Sequence, residues 1–261
     1  MRRLGIALLG VLLLSGCAGG AFRSGDAERP AADQPATTEA RKIARAHVEL
    51  GVAYLEINRL GTAMEEARLA VLVDPAYAPA HQLLAEVHSR LDEKPQALAS
   101  FEKALSLAPG DPDLSNTYGW FLCTIGREKE GLEWLAKSAA NPFNTSLSRP
   151  YTNSGLCHLR LKNDTAAAAS FARALALDGN NATAAFNLAA IAYRKGDLIQ
   201  ARALITELIR SEKPTAEAVW LGIRVEHKLG NKEAEATYIA QLRKGFESSQ
   251  QYQDYQAGRF E

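Results

Sequence analysis

The sequence lacks several features that mark common functional classes. Its 261 residues carry 30 basic and 30 acidic side chains, so it has no basic excess of the kind that nucleic-acid-binding proteins use. Cysteine is scarce, at three residues. Long apolar runs are scarce too: the mean hydropathy is −0.18, and the single apolar stretch at the start excludes a polytopic membrane protein. Because hydrophobic residues still make up 47%, a packed globular core is expected.

Motifs for catalysis and metal binding are missing as well. The five histidines form no His-Glu-x-x-His pattern, and none stands with cysteine at zinc-ligand spacing. There is no phosphate-binding glycine loop and no Gly-x-Ser-x-Gly elbow. The sequence therefore predicts a protein that is not an enzyme, with no catalytic residues, no metal, no cofactor, no small-molecule substrate and no nucleic-acid partner.

The N-terminus predicts export and lipid attachment. Two arginines precede a short apolar core, residues 6–14, which is too short for a permanent membrane span and is typical of a secretory signal. The core ends in Leu-Ser-Gly before Cys17, which resembles the lipobox of bacterial lipoproteins. That resemblance implies a signal peptide over residues 1–16, lipidation of Cys17 and, because Ala18 follows, an outer-membrane location facing the periplasm. The alternative is an ordinary cleaved signal with an incidental cysteine.

The segment after the lipobox, residues 17–43, is rich in alanine, glycine, proline, aspartate and threonine and has no helical or strand periodicity up to about Arg41. This composition predicts a flexible tether between the membrane and a folded body. A coil of that length has a root-mean-square reach of roughly 25–30 Å.

From about Ala44 the sequence repeats itself. Small residues recur at spacings of 34, 34, 36, 34 and 33, at Gly51, Ala85, Gly119, Gly155, Ala189 and Gly222. Turn-forming residues divide each unit in two, at Asn58, Asp92, Gly126, Asn163, Gly196 and Gly230. This pattern resembles the tetratricopeptide repeat (TPR), in which a Gly or Ala lets two helices approach closely.

The repeat predicts an all-α, right-handed superhelical solenoid of about six helix-turn-helix TPR units. The six units occupy residues 44–245, with approximate bounds of 44–77, 78–111, 112–147, 148–181, 182–214 and 215–245, followed by a C-terminal tail over 246–261.

With Cys17 assigned to lipid, Cys123 and Cys157 remain as an even pair in an exported protein. Both fall near the end of the first helix (helix A) of consecutive units, and stacked A helices are neighbours in a solenoid. A disulfide between them is therefore predicted. Two buried thiols, or a nucleophile made of Cys157 and His158, are the alternatives.

Helices A are expected to line a concave groove that binds a partner. The residues predicted to face it are Val48, Val52 and Leu55, then Gln82, Glu86 and Arg90, then Asn116 and Trp120, then Thr152, Leu156 and Arg160, and finally Phe186, Tyr193 and Arg194. The apolar first unit and the aromatic residues Trp120, Phe186 and Tyr193 are candidate anchors for a peptide or helix. Packing between neighbouring A helices is the alternative role for each of these side chains.

Several segments resemble one family more specifically than the repeat does. Residues 116–123 read Asn-Thr-Tyr-Gly-Trp-Phe-Leu-Cys and residues 153–157 read Asn-Ser-Gly-Leu-Cys. Both segments resemble the outer-membrane lipoproteins of type IV pilus biogenesis and stability, which are the PilW/PilF family or pilotins. The same family is resembled by Leu221–Arg224 and by the tail around Phe246 and Tyr252. The likeness runs from lipobox to tail. Glu247 departs from the pattern, which has proline after Phe246.

The resemblance implies a non-enzymatic role, in which the protein helps the type IV pilus secretin to reach the outer membrane and to assemble into its multimeric ring. The expected partners are thus the secretin, through the groove, and the outer membrane, through the lipid anchor. Two alternatives remain: a scaffold for another envelope machine, for outer-membrane protein insertion or peptidoglycan assembly, and a redox protein or enzyme using the cysteines.

Overall fold

The computed structural model describes residues 28–210 and 214–260, and within them the chain is all-α. Twelve helices form six antiparallel pairs, and a short thirteenth helix follows. The helices are α1 Glu39–Glu56, α2 Leu60–Val73, α3 Ala78–Arg90, α4 Lys94–Leu107, α5 Pro112–Thr124, α6 Glu128–Ala140, α7 Ser148–Arg160, α8 Asp164–Leu177, α9 Ala182–Arg194, α10 Leu198–Arg210, α11 Ala216–Leu229, α12 Lys232–Gly245 and α13 Gln250–Gln256. The odd-numbered helices α1 to α11 are the A helices of a TPR solenoid, and the even-numbered ones are the B helices.

The N-terminal part of the fold differs from the predicted tether. Helix α1 begins at Glu39, and a single 3-10 turn, Ala31–Asp33, precedes it. The hydroxyl of Thr38 accepts a hydrogen bond from the Arg41 N–H at 3.1 Å and so caps α1. The described part of the predicted tether is therefore structured. The signal peptide and Cys17 lie outside the described residues.

Each turn between an A and a B helix holds one residue in the left-handed region, with φ between 55° and 88°: Asn58, Asp92, Gly126, Lys162, Gly196 and Gly230. Five of these are the predicted turn residues. In the fourth unit the left-handed residue is Lys162, which lies seven positions after Gly155, as Asn58 lies after Gly51; the next residue is Asn163. Its Oδ1 accepts a hydrogen bond from the Ala166 N–H and caps α8.

The small residues permit close contact between the helices of a unit. The clearest case is the third unit, where a Cβ on Gly131 would lie 2.5 Å from the Gly119 carbonyl oxygen, and a Cβ on Gly119 would lie 2.8 Å from the Gly131 carbonyl oxygen. The backbones of α5 and α6 thus cross in direct contact, which only glycine at both positions allows.

The third and fourth units are joined by a longer link, residues 141–147, which is held by its own side chains. The Asn144 amide donates to the Ser138 carbonyl at 2.9 Å, and Asn141 Oδ1 accepts from the Phe143 N–H at 2.8 Å. Nearby, Cys123 and Cys157 are buried with Leu135, with their Sγ atoms 2.05 Å apart and their Cα atoms 5.6 Å apart. The cysteine pair thus connects α5 to α7 on either side of the link.

The solenoid ends in an aromatic cap. The ring of Phe260 stacks on His227 with centroids 4.4 Å apart and lies 5.4 Å from the ring of Trp220. Helix α13 and this tail therefore cover the last repeat. Within the part of the chain that the structure describes, no helix is long and apolar enough to cross a membrane.

Candidate partner-binding cavity

A cavity of about 610 Å³ opens on the face formed by the A helices. Its walls come from α1, α3, α5, α7 and the start of α9. Seven of the lining residues stand three positions before or one position after the small residue of their unit. Apolar side chains cover the α1 end and polar ones the remainder; the lining includes Val48, Val52, Gln82, Leu83, Glu86, Asn116, Thr117, Trp120, Thr152 and Asn153. The same helical positions recur in the first four units, and Thr183 on α9 extends the surface to the fifth.

A row of side-chain amides crosses this surface. The Asn153 amide donates to Asn116 Oδ1 at 3.0 Å, and the Asn181 amide donates to the Thr152 hydroxyl at 2.8 Å. The Gln82 amide donates to Glu86 Oε1 at 2.9 Å and to the Thr117 hydroxyl at 3.3 Å. Amides offer both donors and acceptors, so this row suits the N–H and C=O groups of a peptide backbone.

Carboxylates outnumber cations in the cavity wall. Glu86, Asp111 and Asp113 line it, and Arg149 is the basic residue among the lining side chains. Burial raises the pKa of all three carboxyl groups; at Glu86 the Gln82 hydrogen bond and the charge of Arg149 oppose the rise. Arg149 lies 3.5 Å from Asp113 Oδ1, and no salt bridge to Glu86 forms among the described residues, so the wall favours a partner that brings positive charge or N–H donors.

Half of the fourteen predicted groove residues line this cavity: Val48, Val52, Gln82, Glu86, Asn116, Trp120 and Thr152. Leu55 lies in an adjoining cavity of about 170 Å³, with Arg90 and Trp120.

Leu156, Phe186 and Tyr193 lie elsewhere, which corrects the predicted aromatic strip. Leu156 packs against the apolar cluster of α8 and α9, and Phe186 against that of α9 to α12. Tyr193 is buried because α11 covers it: the guanidinium of Arg224 and the ammonium of Lys228 lie 4.8 Å and 4.4 Å from its ring centroid.

One wall of the cavity was missed from the sequence. Pro30 and Ala32 line it, although they precede the first repeat. The Ala31 N–H donates to Asp111 Oδ2 at 2.6 Å, and Ala31 packs on Ala78 and Ala108. Thr38 before Glu39 is the one sequence signal for order here, because threonine at that place predicts a helix start ahead of Ala44.

Histidines and acids form no metal centre in the described ranges, where no group of three or more potential ligands comes together. Nδ1 atoms of His47, His88 and His227 each lie within 2.5–2.7 Å of a glutamate oxygen. The Nδ1 of His158 is buried without a hydrogen-bond partner, and burial lowers the pKa of its imidazole. These contacts describe histidines used in packing and in hydrogen bonds to glutamate.

Comparison with known proteins gives matches of two kinds. Models of the tetratricopeptide repeat match residues 44–77, 78–111 and 158–209. The type IV pilus assembly protein PilF of Pseudomonas aeruginosa is 29% identical over 247 residues, which cover 95% of this chain and 96% of that protein.

Solved structures agree with the sequence match. A structure from the functional characterisation of Pseudomonas aeruginosa PilF has a TM-score of 0.74 and 27% identity, and the match covers 85% of this chain and 100% of that one. The crystal structure of PilW, a widely conserved type IV pilus biogenesis factor, has a TM-score of 0.72 and 27% identity, with 82% and 98% of the two chains covered.

Proposed function

We propose that this chain, a tetratricopeptide repeat protein homologous to the type IV pilus assembly protein PilF, holds the type IV pilus secretin at the outer membrane and promotes assembly of its multimer. The observation that carries the proposal is the continuous cavity across α1, α3, α5 and α7, with apolar side chains at one end and a row of amides at the other. Such a surface binds a peptide segment by side-chain anchors and by its backbone.

Lipidation of Cys17 is the second part of the proposal. A lipid anchor confines the protein to the periplasmic face of the outer membrane and raises the local concentration of every partner bound there. A cavity of modest affinity then suffices to collect secretin protomers beneath the membrane.

A disulfide between Cys123 and Cys157 is the third part. It would close a loop of 34 residues and stabilise the junction of the third and fourth units by roughly 4 kcal/mol in the chain-entropy model. Mass spectrometry of the exported protein, alkylated without reduction, tests the pairing. Alkylation of both thiols would contradict it.

The role is tested in a strain that lacks the gene, by measuring heat- and detergent-resistant secretin multimers in isolated membranes. The deletion is expected to lose multimers while monomers remain. Normal multimers together with normal pili would reject the pilus role and favour another envelope machine, whose components co-purification would identify.

The cavity is tested separately with Val52→Glu, compared with Leu72→Glu. Both are exposed aliphatic residues on helices of the first unit, 39% and 75% exposed, but only Val52 lines the cavity. Both proteins should fold, and Val52→Glu alone should lower the multimer level. Equal multimer levels in the two variants would show that the secretin binds another surface.

A catalytic role for Cys157 and His158 is the alternative to the proposed disulfide, because a sulfur bonded to Cys123 would be no nucleophile. Cys157→Ser provides the test. The scaffold proposal expects multimers to persist in this variant as long as its helical content and thermal unfolding show that it is folded.

A further inference from the structure

The segment before the first repeat docks on the middle of the solenoid. The Glu28 N–H donates to the Gly110 carbonyl at 3.2 Å, and the Asn141 amide donates to the Glu28 carbonyl at 3.2 Å and to the Gly110 carbonyl at 2.7 Å. Asn141 ends α6, and Gly110 lies between α4 and α5. Within the described residues, the chain therefore contacts the junction of the second and third units before it enters the first.

Side-chain contacts secure the same segment. Ala31 is 8% exposed between Ala78 and Ala108, and its N–H donates to the buried carboxylate of Asp111 at 2.6 Å. The Arg29 guanidinium lies 5.5 Å from the centroid of the Phe143 ring. A charged acceptor in a buried site makes a strong hydrogen bond, so residues 28–33 are fixed at this edge, which the N-terminal ends of the A helices form.

This position sets the distance from Cys17 to the folded body. Glu28 is 11 positions after Cys17, so the two residues are at most about 36–40 Å apart in any conformation. If folding began at Glu39 instead, 22 positions after Cys17, the limit would be about 73–79 Å. Docking of the segment thus halves the longest possible distance between lipid and repeats.

We propose that residues 28–33 act as an orienting strap. When Cys17 is lipidated, as the proposed function requires, the strap turns the edge around Asp111 and Asn141 toward the bilayer and keeps the cavity mouth beside it. Pro30 and Ala32 line the cavity, so the same segment joins the membrane attachment to the partner site. The surface that faces the bilayer is then the A-helix N-terminal edge of the middle units, not an end of the solenoid.

The test uses the lipidated full chain in vesicles that contain an acceptor-labelled lipid, with a genetically encoded fluorescent amino acid as donor. The donor is placed at Thr145 or at Lys129, which are both exposed and stand near opposite ends of α6. These ends are about 20 Å apart for 13 residues. Energy transfer to the lipid should be greater from Thr145.

Ala31→Asp and Ala32→Asp are the matched variants. Ala31→Asp places a carboxylate beside Asp111 in a buried site and should abolish the difference between the two donors, while Ala32→Asp, at an exposed neighbour, should keep it. Both changes lie outside the repeats, and in the first variant hydrogen exchange should show lost protection at Glu28, Ala31 and Asp33, with protection of the repeats unchanged.

Equal transfer from the two donors in the unsubstituted protein would overturn the strap, as would a difference that survives Ala31→Asp. Failure of the chain to float with vesicles would be a separate result: it would refute the lipid anchor itself, and orientation with it. Secretin multimers report on the proposed function independently of both results.

Discussion

The contact between Gly119 and Gly131 makes a direct prediction about stability. In Gly131→Ala the new Cβ would meet the Gly119 carbonyl oxygen and the Cys123 Sγ, each at 2.5 Å. Neither is the end of a flexible side chain, so α5 and α6 must separate. Overpacking of this kind costs about 1–3 kcal/mol, and the better helix propensity of alanine returns at most about 1 kcal/mol.

The measurement is the midpoint of thermal unfolding by circular dichroism. For a domain of this size each kcal/mol lowers the midpoint by about 2–4 °C, so we expect a loss of several degrees. Gly61→Ala is the matched control. Gly61 also lies in the first turn of a B helix, but a Cβ there would have no neighbouring atom within 4 Å. This substitution should leave the midpoint unchanged or raise it. Gly119→Ala repeats the test without the sulfur contact. If Gly131→Ala melts at or above the unsubstituted protein, the inferred backbone crossing is wrong.

Three further predictions concern single side chains. Arg202→Ala should lower the free energy of unfolding by about 2–3 kcal/mol, because it leaves the carboxylate of Glu226, which is 3% exposed and accepts two hydrogen bonds from Arg202, without its partner. Chemical denaturation measures this change. The control is Arg210→Ala, which removes an exposed ion pair on the same helix and should lower the free energy of unfolding by less than about 1 kcal/mol. Burial raises the pKa of Glu86, so the folded state binds the proton of this carboxyl group more tightly than the unfolded state does. The unsubstituted protein should therefore lose stability relative to Glu86→Gln as pH rises from about 4 towards neutrality. A difference in thermal unfolding midpoint between the two proteins that is constant with pH would reject this. Lys162→Gly should stabilise by about 0.5–1 kcal/mol, because glycine relieves the left-handed backbone at φ 55°, and an unchanged midpoint would contradict it.

The fold was predictable because the same pattern of small residues and turn residues occurs in all six units. A small residue at the helix crossing and a turn residue after it recur at nearly constant spacing, and the structure shows the TPR fold that this pattern predicts. The predicted turn residue Asn163 was wrong by one position: seven residues after Gly155, the spacing that leads from Gly51 to Asn58, comes Lys162, and Asn163 caps α8 instead.

The site was harder to predict, because helical periodicity gives the face of a helix but not what covers it. Val52 and Trp120 stand one position after their small residues and line the cavity, whereas Leu156, at the equivalent position, packs into the core of the next pair. Tyr193 is covered by cations from α11, a contact between residues about 30 positions apart. Ala31 and Asp111, which form a hydrogen bond, are 80 positions apart in the sequence, and no local sequence pattern predicts this contact.

The link between α6 and α7 has a consequence for the curvature of the solenoid. The A–B turns are alike in backbone conformation, so each unit leaves its turn in the same direction, and the superhelical pitch is set by the B–A links. At residues 141–147 the link is fixed by side-chain hydrogen bonds: the Asn141 amide donates to the Gly110 carbonyl, and the Asn144 amide donates to the Ser138 carbonyl. Because Trp120 on α5 and Thr152 on α7 line one cavity on either side of this link, the angle between these two helices contributes to how wide the cavity opens.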